Sequence, residues 1–139
     1  MYIDTSVAVK LYVDEVDSEV CEAIVAGMTL VSSRLLYCEL RSALLGKEAR
    51  KIISPDLRNE LWCAFEEHIT AKKIRLIPLS DLLVRNAADL IGDLYSRVPL
   101  RTLDALHLAT FASIDGGPLF TKDIRMRKAA VELGLPLAF

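Results

Sequence analysis

Apolar positions along the chain follow two rhythms. Short runs with few polar interruptions alternate with longer stretches in which apolar residues return every three or four positions. The pattern predicts a very short strand over residues 1–4, then helical spacing through "DTSVAVKLYV", with Thr5 or Ser6 as its cap. A helix over 17–26 leads into a buried strand in "MTLVSS". A long amphipathic segment runs from Ser33 to about Lys51, and "SPDL" then starts another helix, with Ser54 capping and Pro55 at its first position, ending near Ala71. Beyond it the pattern predicts a strand in "IRLIPLS", a helix over 81–96, a break at Pro99 and a helix opened by Thr102 as cap. The remainder reads as a turn at "DGG", a strand in "PLFTK", a helix over 123–133 and a terminal strand in "LPLAF".

Strands that are short and apolar on both faces, alternating with helices, imply an α/β fold in which helices flank a parallel sheet. The helical pair over 34–71 is uninterrupted by a strand and is expected to project from that sheet. At 139 residues, 53% of them hydrophobic, the chain is expected to form one domain over 1–139 with a core that needs no disulfide or metal. Cys21, Cys38 and Cys63 are odd in number and lack ligand spacing, so they read as small buried residues in a reducing compartment. No stretch is long enough to span a membrane and no leader pattern opens the sequence, so a soluble cytoplasmic protein is expected.

A net charge of −2 argues against a protein that holds nucleic acid through its overall field. Contact with an anion must then be local. Lys10, Arg101, Lys122 and Arg125 are candidates by position alone.

Four acids stand out. In an open parallel sheet, ligands bind at the carboxyl ends of the strands near a reversal of strand order. Asp4 ends the first strand, Asp123 follows "PLFTK", Asp104 lies in the first turn of its helix, and Glu39 shares a helical stripe with Leu35, Leu36, Leu40 and Ala43. Capping alone explains each Asp, and Glu39 could pair with Arg34 or Arg41. Together they supply what a hard divalent cation requires, several oxygen ligands whose mutual repulsion the ion compensates. Mg²⁺ is the expected ion, with Mn²⁺ as a substitute, and Asp4 and Asp104 are the expected innermost ligands. His107, one turn beyond Asp104, reads first as a satisfied core residue and second as a group that orients Asp104 or touches a phosphate. Zinc is not indicated, because His68 is remote and no Cys/His set accompanies the acids.

The segments "YIDTSV", "SSRLLYCELRSAL", "LRTLDALHLAT" and "LFTKDIRMRKAA" resemble, in this order and spacing, the four acidic motifs of PIN domains, most closely the VapC toxins of toxin–antitoxin pairs. The resemblance spans almost the whole chain. It implies that Asp4, Glu39, Asp104 and Asp123 hold metal and carry catalysis, and that Thr5, Ser6 and Thr121 orient a carboxylate or a metal-bound water. It also implies metal-dependent endoribonuclease activity on RNA and silencing by a cognate antitoxin. Leu57, Leu61, Trp62, Phe65 and Ile69 lie at helical spacing on the projecting pair and are expected to line an apolar groove for the antitoxin. A second copy of the chain competes for the same surface, so a homodimer is also expected. The alternative from another class is a non-catalytic receiver-like regulator whose strand-end Asp accepts phosphate. It requires an acid pair early in the chain, whereas only Asp4 precedes Asp14.

Overall fold

The computed structural model describes residues 1–115 and 117–138. Four parallel strands, β1 (Tyr2–Ile3), β2 (Leu30–Ser33), β3 (Ile74–Ile77) and β4 (Leu119–Phe120), form a sheet in the order β3-β2-β1-β4. Tyr2 pairs with Val31 on one side and Leu119 on the other, and Ser33 stands opposite Ile77. The order reverses at β1, so the crevice between the carboxyl ends of β1 and β4 is the switch point at which such sheets bind ligands. This order also differs from the 2-1-3-4-5 arrangement of flavodoxin-like receivers, which removes the topological basis of the regulator alternative.

Alternation along each strand divides the core. Ile3, Leu30 and Phe120 face one side of the sheet, where they pack with residues of α1 (Thr5–Tyr12), α2 (Ser18–Val25), α3 (Leu35–Ala49) and α4 (Pro55–Thr70). Tyr2, Val31 and Leu119 face the other, against α5 (Asp81–Leu94), α6 (Thr102–Ala112) and α7 (Ile124–Glu132). Helix α6 is buried almost all round, with Ala105, His107, Leu108, Ala109, Thr110 and Phe111 inside, which accounts for its apolar sequence. Small residues Ala87, Ala105 and Ala109 let α5 approach it closely.

Capping explains several helix starts. Ser54 and Ser80 accept hydrogen bonds from Leu57 N (3.1 Å) and Leu83 N (3.3 Å), and Pro55 opens α4 as expected. Two expected caps are corrected. Asp4, not Thr5 or Ser6, caps α1, and Arg101 occupies the cap position of α6 in extended conformation, which makes Thr102 the first helical residue. The expected terminal strand contributes a single parallel bridge, Leu119 to Leu137, and its Phe139 lies outside the described residues, as does Gly116 of the expected "DGG" turn.

Helices α3 and α4 form an uninterrupted pair, as expected, but much of its apolar stripe is core. Leu36, Leu40, Leu44 and Phe65 are fully buried against α1 and the sheet, so Phe65 lines no open groove. Trp62 is half-buried beneath the Arg41 guanidinium, 4.9 Å from its ring centroid, and Leu57 remains exposed. Of the cysteines only Cys21 is buried; Cys38 and Cys63 sit on exposed faces of α3 and α4. Among the described residues no helix is long and apolar enough to cross a membrane.

Candidate active site

Asp4 occupies the carboxyl end of β1, and the backbone turn into α1 fixes its carboxylate. Its Oδ1 accepts from Val7 N (3.3 Å) and Ser6 Oγ (2.7 Å), and its Oδ2 accepts from Thr121 Oγ1 (2.7 Å). The side chain is 4% exposed. Burial holds its carboxyl above the usual carboxylate range even though these hydrogen bonds and His107 pull the other way.

The same hydroxyls tie the β1 turn to the β4 turn. Ser6 Oγ accepts from Lys122 N (2.9 Å), and Thr121 Oγ1 accepts from Asp123 N (3.0 Å). Asp123 in turn caps α7, with Oδ1 accepting from Arg125 N (2.7 Å) and Met126 N (2.9 Å). Two strand-end acids on either side of the switch point are thus locked together through Ser6 and Thr121. Both hydroxyls were expected to orient a carboxylate, and both contact Asp4.

Asp104 approaches from the first turn of α6. Its Oδ2 is buried without a hydrogen-bond partner, the one such side-chain atom among the described residues. Burial raises its carboxyl above the usual range, the neighbouring charge of Asp123 raises it further, and Arg101 and Arg125 offset part of this. A buried, unpartnered carboxylate oxygen next to a second acid is costly unless a cation compensates it.

Glu39 lies on α3, the helix that follows β2. Its Oε2 accepts from Thr5 Oγ1 (2.5 Å) and His107 Nε2 (2.7 Å), so its partners are Thr5 and His107 and not Arg34 or Arg41. Burial opposes its ionisation, but these two partners outweigh burial and hold the carboxyl below its ordinary value. His107 is therefore a satisfied buried histidine, 2% exposed, and it also touches an acid of the site. The acid is Glu39, across the core, and not Asp104 on its own helix. The second ring nitrogen, Nδ1, meets Tyr2 Oη at 2.8 Å. Tyr2 is the residue sequence reasoning missed. Its signal was weak, a tyrosine two residues before a strand-end acid.

Beside the acids lies a cleft of about 560 Å³ lined by Arg97, Arg101, Lys122, Asp123, Arg125 and Lys128. Three of the four expected backbone-contacting cations are therefore gathered in one place. Lys10 is not; its Nζ binds Glu15 (3.3 Å) and Val16 O (2.6 Å). Arg97 and Lys128 were not anticipated, although Lys128 lies one turn beyond Arg125 on the same helix face.

The donor set suits a hard divalent cation, since it is all oxygen and includes one orphaned carboxylate oxygen. Among the described residues no three such side chains stand close enough to ligate one ion unaided. Water and phosphate oxygens would have to complete the shell, which is how Mg²⁺ is ordinarily held.

A PIN domain profile matches residues 1–132. The chain is also 37% identical to Ribonuclease VapC46 of Mycobacterium tuberculosis, over 97% of this chain and 93% of that protein. With its all-parallel four-stranded sheet and its acids at the strand ends, the chain belongs to the PIN domain family and is of the VapC type.

Proposed function

We propose that the chain is a divalent-cation-dependent endoribonuclease, the toxin of a toxin–antitoxin pair. The observation that carries this reading is the orphaned Oδ2 of Asp104, set against Asp123 beside a cleft lined by five cations. The name of its relative, a ribonuclease, supports the choice of RNA as the anion. Asp4 and Asp104 are the inner ligands and Glu39 and Asp123 widen the site, with water and phosphate oxygens filling the remaining positions. Mg²⁺, or Mn²⁺ in its place, would polarise the phosphodiester and make water a competent nucleophile near neutral pH.

The chain's own groups do the rest. Ser6 and Thr121 orient the Asp4 carboxylate, and Thr5 and His107 orient that of Glu39. Arg101, Lys122 and Arg125 draw the RNA backbone into the cleft, where they fix its register without reading its bases. Few cations suffice, which reconciles RNA binding with a net charge of −2. In this reading the partners are RNA, a cognate antitoxin and a second copy of the chain, within a single domain in the cytoplasm. Exposed apolar groups available for protein contacts include Leu45, Ile52 and Leu57, on and between α3 and α4.

The products test the chemistry. Direct attack of water on phosphorus leaves a 5′-phosphate and a 3′-hydroxyl, whereas attack by the ribose 2′-hydroxyl, with His107 as base, leaves a 2′,3′-cyclic phosphate. End-group analysis of fragments from a cellular RNA pool treated with the protein and Mg²⁺ is expected to find 5′-phosphates. Cyclic phosphates would transfer the role of base to His107 and overturn the acid-centred reading.

A further inference from the structure

Tyr2, His107 and Glu39 form a line across the molecule, from β1 through α6 to α3, buried at Tyr2 and His107 and partly open at Glu39. At one end, Ser33 N donates to Tyr2 Oη (3.1 Å). Tyr2 Oη and His107 Nδ1 are 2.8 Å apart, and His107 Nε2 and Glu39 Oε2 are 2.7 Å apart. Tyr2 and His107 are both all but inaccessible to water.

The chemistry of the groups orders the protons. A carboxylate only accepts, so Nε2 must carry a hydrogen toward Glu39. In a neutral imidazole Nδ1 is then an acceptor, and the one donor facing it is the Tyr2 hydroxyl. The backbone N–H of Ser33 fills a lone pair of Tyr2 Oη and leaves the tyrosine proton directed at the ring. Thr5 Oγ1 adds a second donor to Oε2 of Glu39, so both bonds that hold this carboxylate converge on one oxygen. Among the described residues Oε1 makes no hydrogen bond, and it is the oxygen available to a cation.

We propose that Tyr2 and His107 are positioning residues: the tyrosine hydroxyl, donating to Nδ1, anchors the imidazole ring, and the imidazole turns Glu39 so that Oε1 is presented to the divalent ion. The proposal rests on the cation reading above and extends it to two residues outside the acid motifs. It assigns Tyr2 a role in cation binding at a position from which it cannot touch the ion or the RNA, because its ring is wholly inside the core. Groups that orient a ligand from behind typically change metal affinity by roughly 10- to 100-fold when removed.

The test is Mn²⁺ binding to the full chain, followed by the electron paramagnetic resonance signal of free Mn²⁺, which needs no substrate and no turnover. Tyr2→Phe, which removes one oxygen and preserves the ring, is expected to weaken Mn²⁺ binding at least about tenfold. His107→Met should weaken it similarly. His107→Gln, whose amide can still donate toward Glu39, should recover part of the loss, and a role in packing alone predicts no such recovery. Imidazole nitrogen NMR supplies a second readout that is independent of metal. His107 should be the Nε2–H tautomer in the wild-type protein, and in Tyr2→Phe its Nδ1 resonance should shift as the hydrogen bond from the tyrosine hydroxyl is lost. Wild-type protein that takes up no Mn²⁺ would overturn the cation reading and this proposal with it. Wild-type binding that is matched by Tyr2→Phe and His107→Met, or a wild-type His107 in the Nδ1–H tautomer, would overturn the relay alone.

Discussion

Replacing Asp104 by Asn is expected to cut RNA cleavage on the order of 10²- to 10³-fold, the usual cost of removing one preorganised electrostatic group from an active centre. The cation-free fold should be unharmed or slightly strengthened. The substitution keeps the side-chain shape and removes a charge whose Oδ2 has no partner and which stands against Asp123. A carboxyl held above its unfolded value contributes stability at acid pH, and that contribution is lost as pH rises through the raised folded value. Asp104 and Asp4 both behave this way, for reasons of burial, with Asp123 adding to the effect at Asp104. Glu39 runs in the opposite sense: its contribution is present at neutral pH and disappears as pH falls through its lowered value. Without a cation, then, the wild-type protein should lose stability as pH rises from about 4 through the raised values of these two acids. Asp104→Asn should lose less. Thermal melts across pH with and without the substitution measure this, and a marked drop in melting temperature for Asp104→Asn at neutral pH would contradict it.

Asp4→Ala should abolish cleavage to a similar degree, yet its effect on the fold should have the opposite sign. Here the acid also serves the local structure. It caps α1 through Val7 N and accepts from the hydroxyls of Ser6 and Thr121, which join the β1 and β4 turns. Losing an N-cap costs about 1 kcal/mol. Two hydroxyls left without their acceptor add a comparable amount, for a total of about 2 kcal/mol. Denaturant unfolding of Asp4→Ala beside Asp104→Asn separates the two roles. Equal stability in the two variants would mean that the contacts of Asp4 do not brace the turns.

That contrast also marks what could be read along the chain and what could not. Asp4 and Asp123 were visible because one directly follows a buried two-residue strand, the other follows one after two intervening residues, and each caps a helix, a local arrangement that requires no knowledge of the fold. The sheet followed from the same rhythm, and its reversal at β1 brought those two acids to one crevice. Glu39 was visible as a charge on an apolar stripe, but its partners were not. His107 lies 68 residues away and Thr5 lies 34 away, so the bonds exist only once α6 and α1 converge on α3. Thr102 looked like a cap because its residue type favours one, but the chain is already extended at Arg101 and the helix begins a residue early. Phe65 shows the corresponding limit for surfaces. A helical apolar stripe does not reveal whether a neighbour covers it, and α4 lies on the core and not away from it. Cys38 and Cys63 erred the other way, as apolar residue types that ended on exposed faces.

The central claim is that the four acids act together through a divalent cation to cleave RNA. It is tested most directly by cleavage of a cellular RNA pool with protein stripped by EDTA, before and after Mg²⁺ or Mn²⁺ is restored. The expected result is no cleavage in the chelator and full recovery with either ion, with Asp104→Asn failing to recover under the same conditions. Full cleavage in EDTA, or an Asp104→Asn protein as active as the wild type, would contradict it.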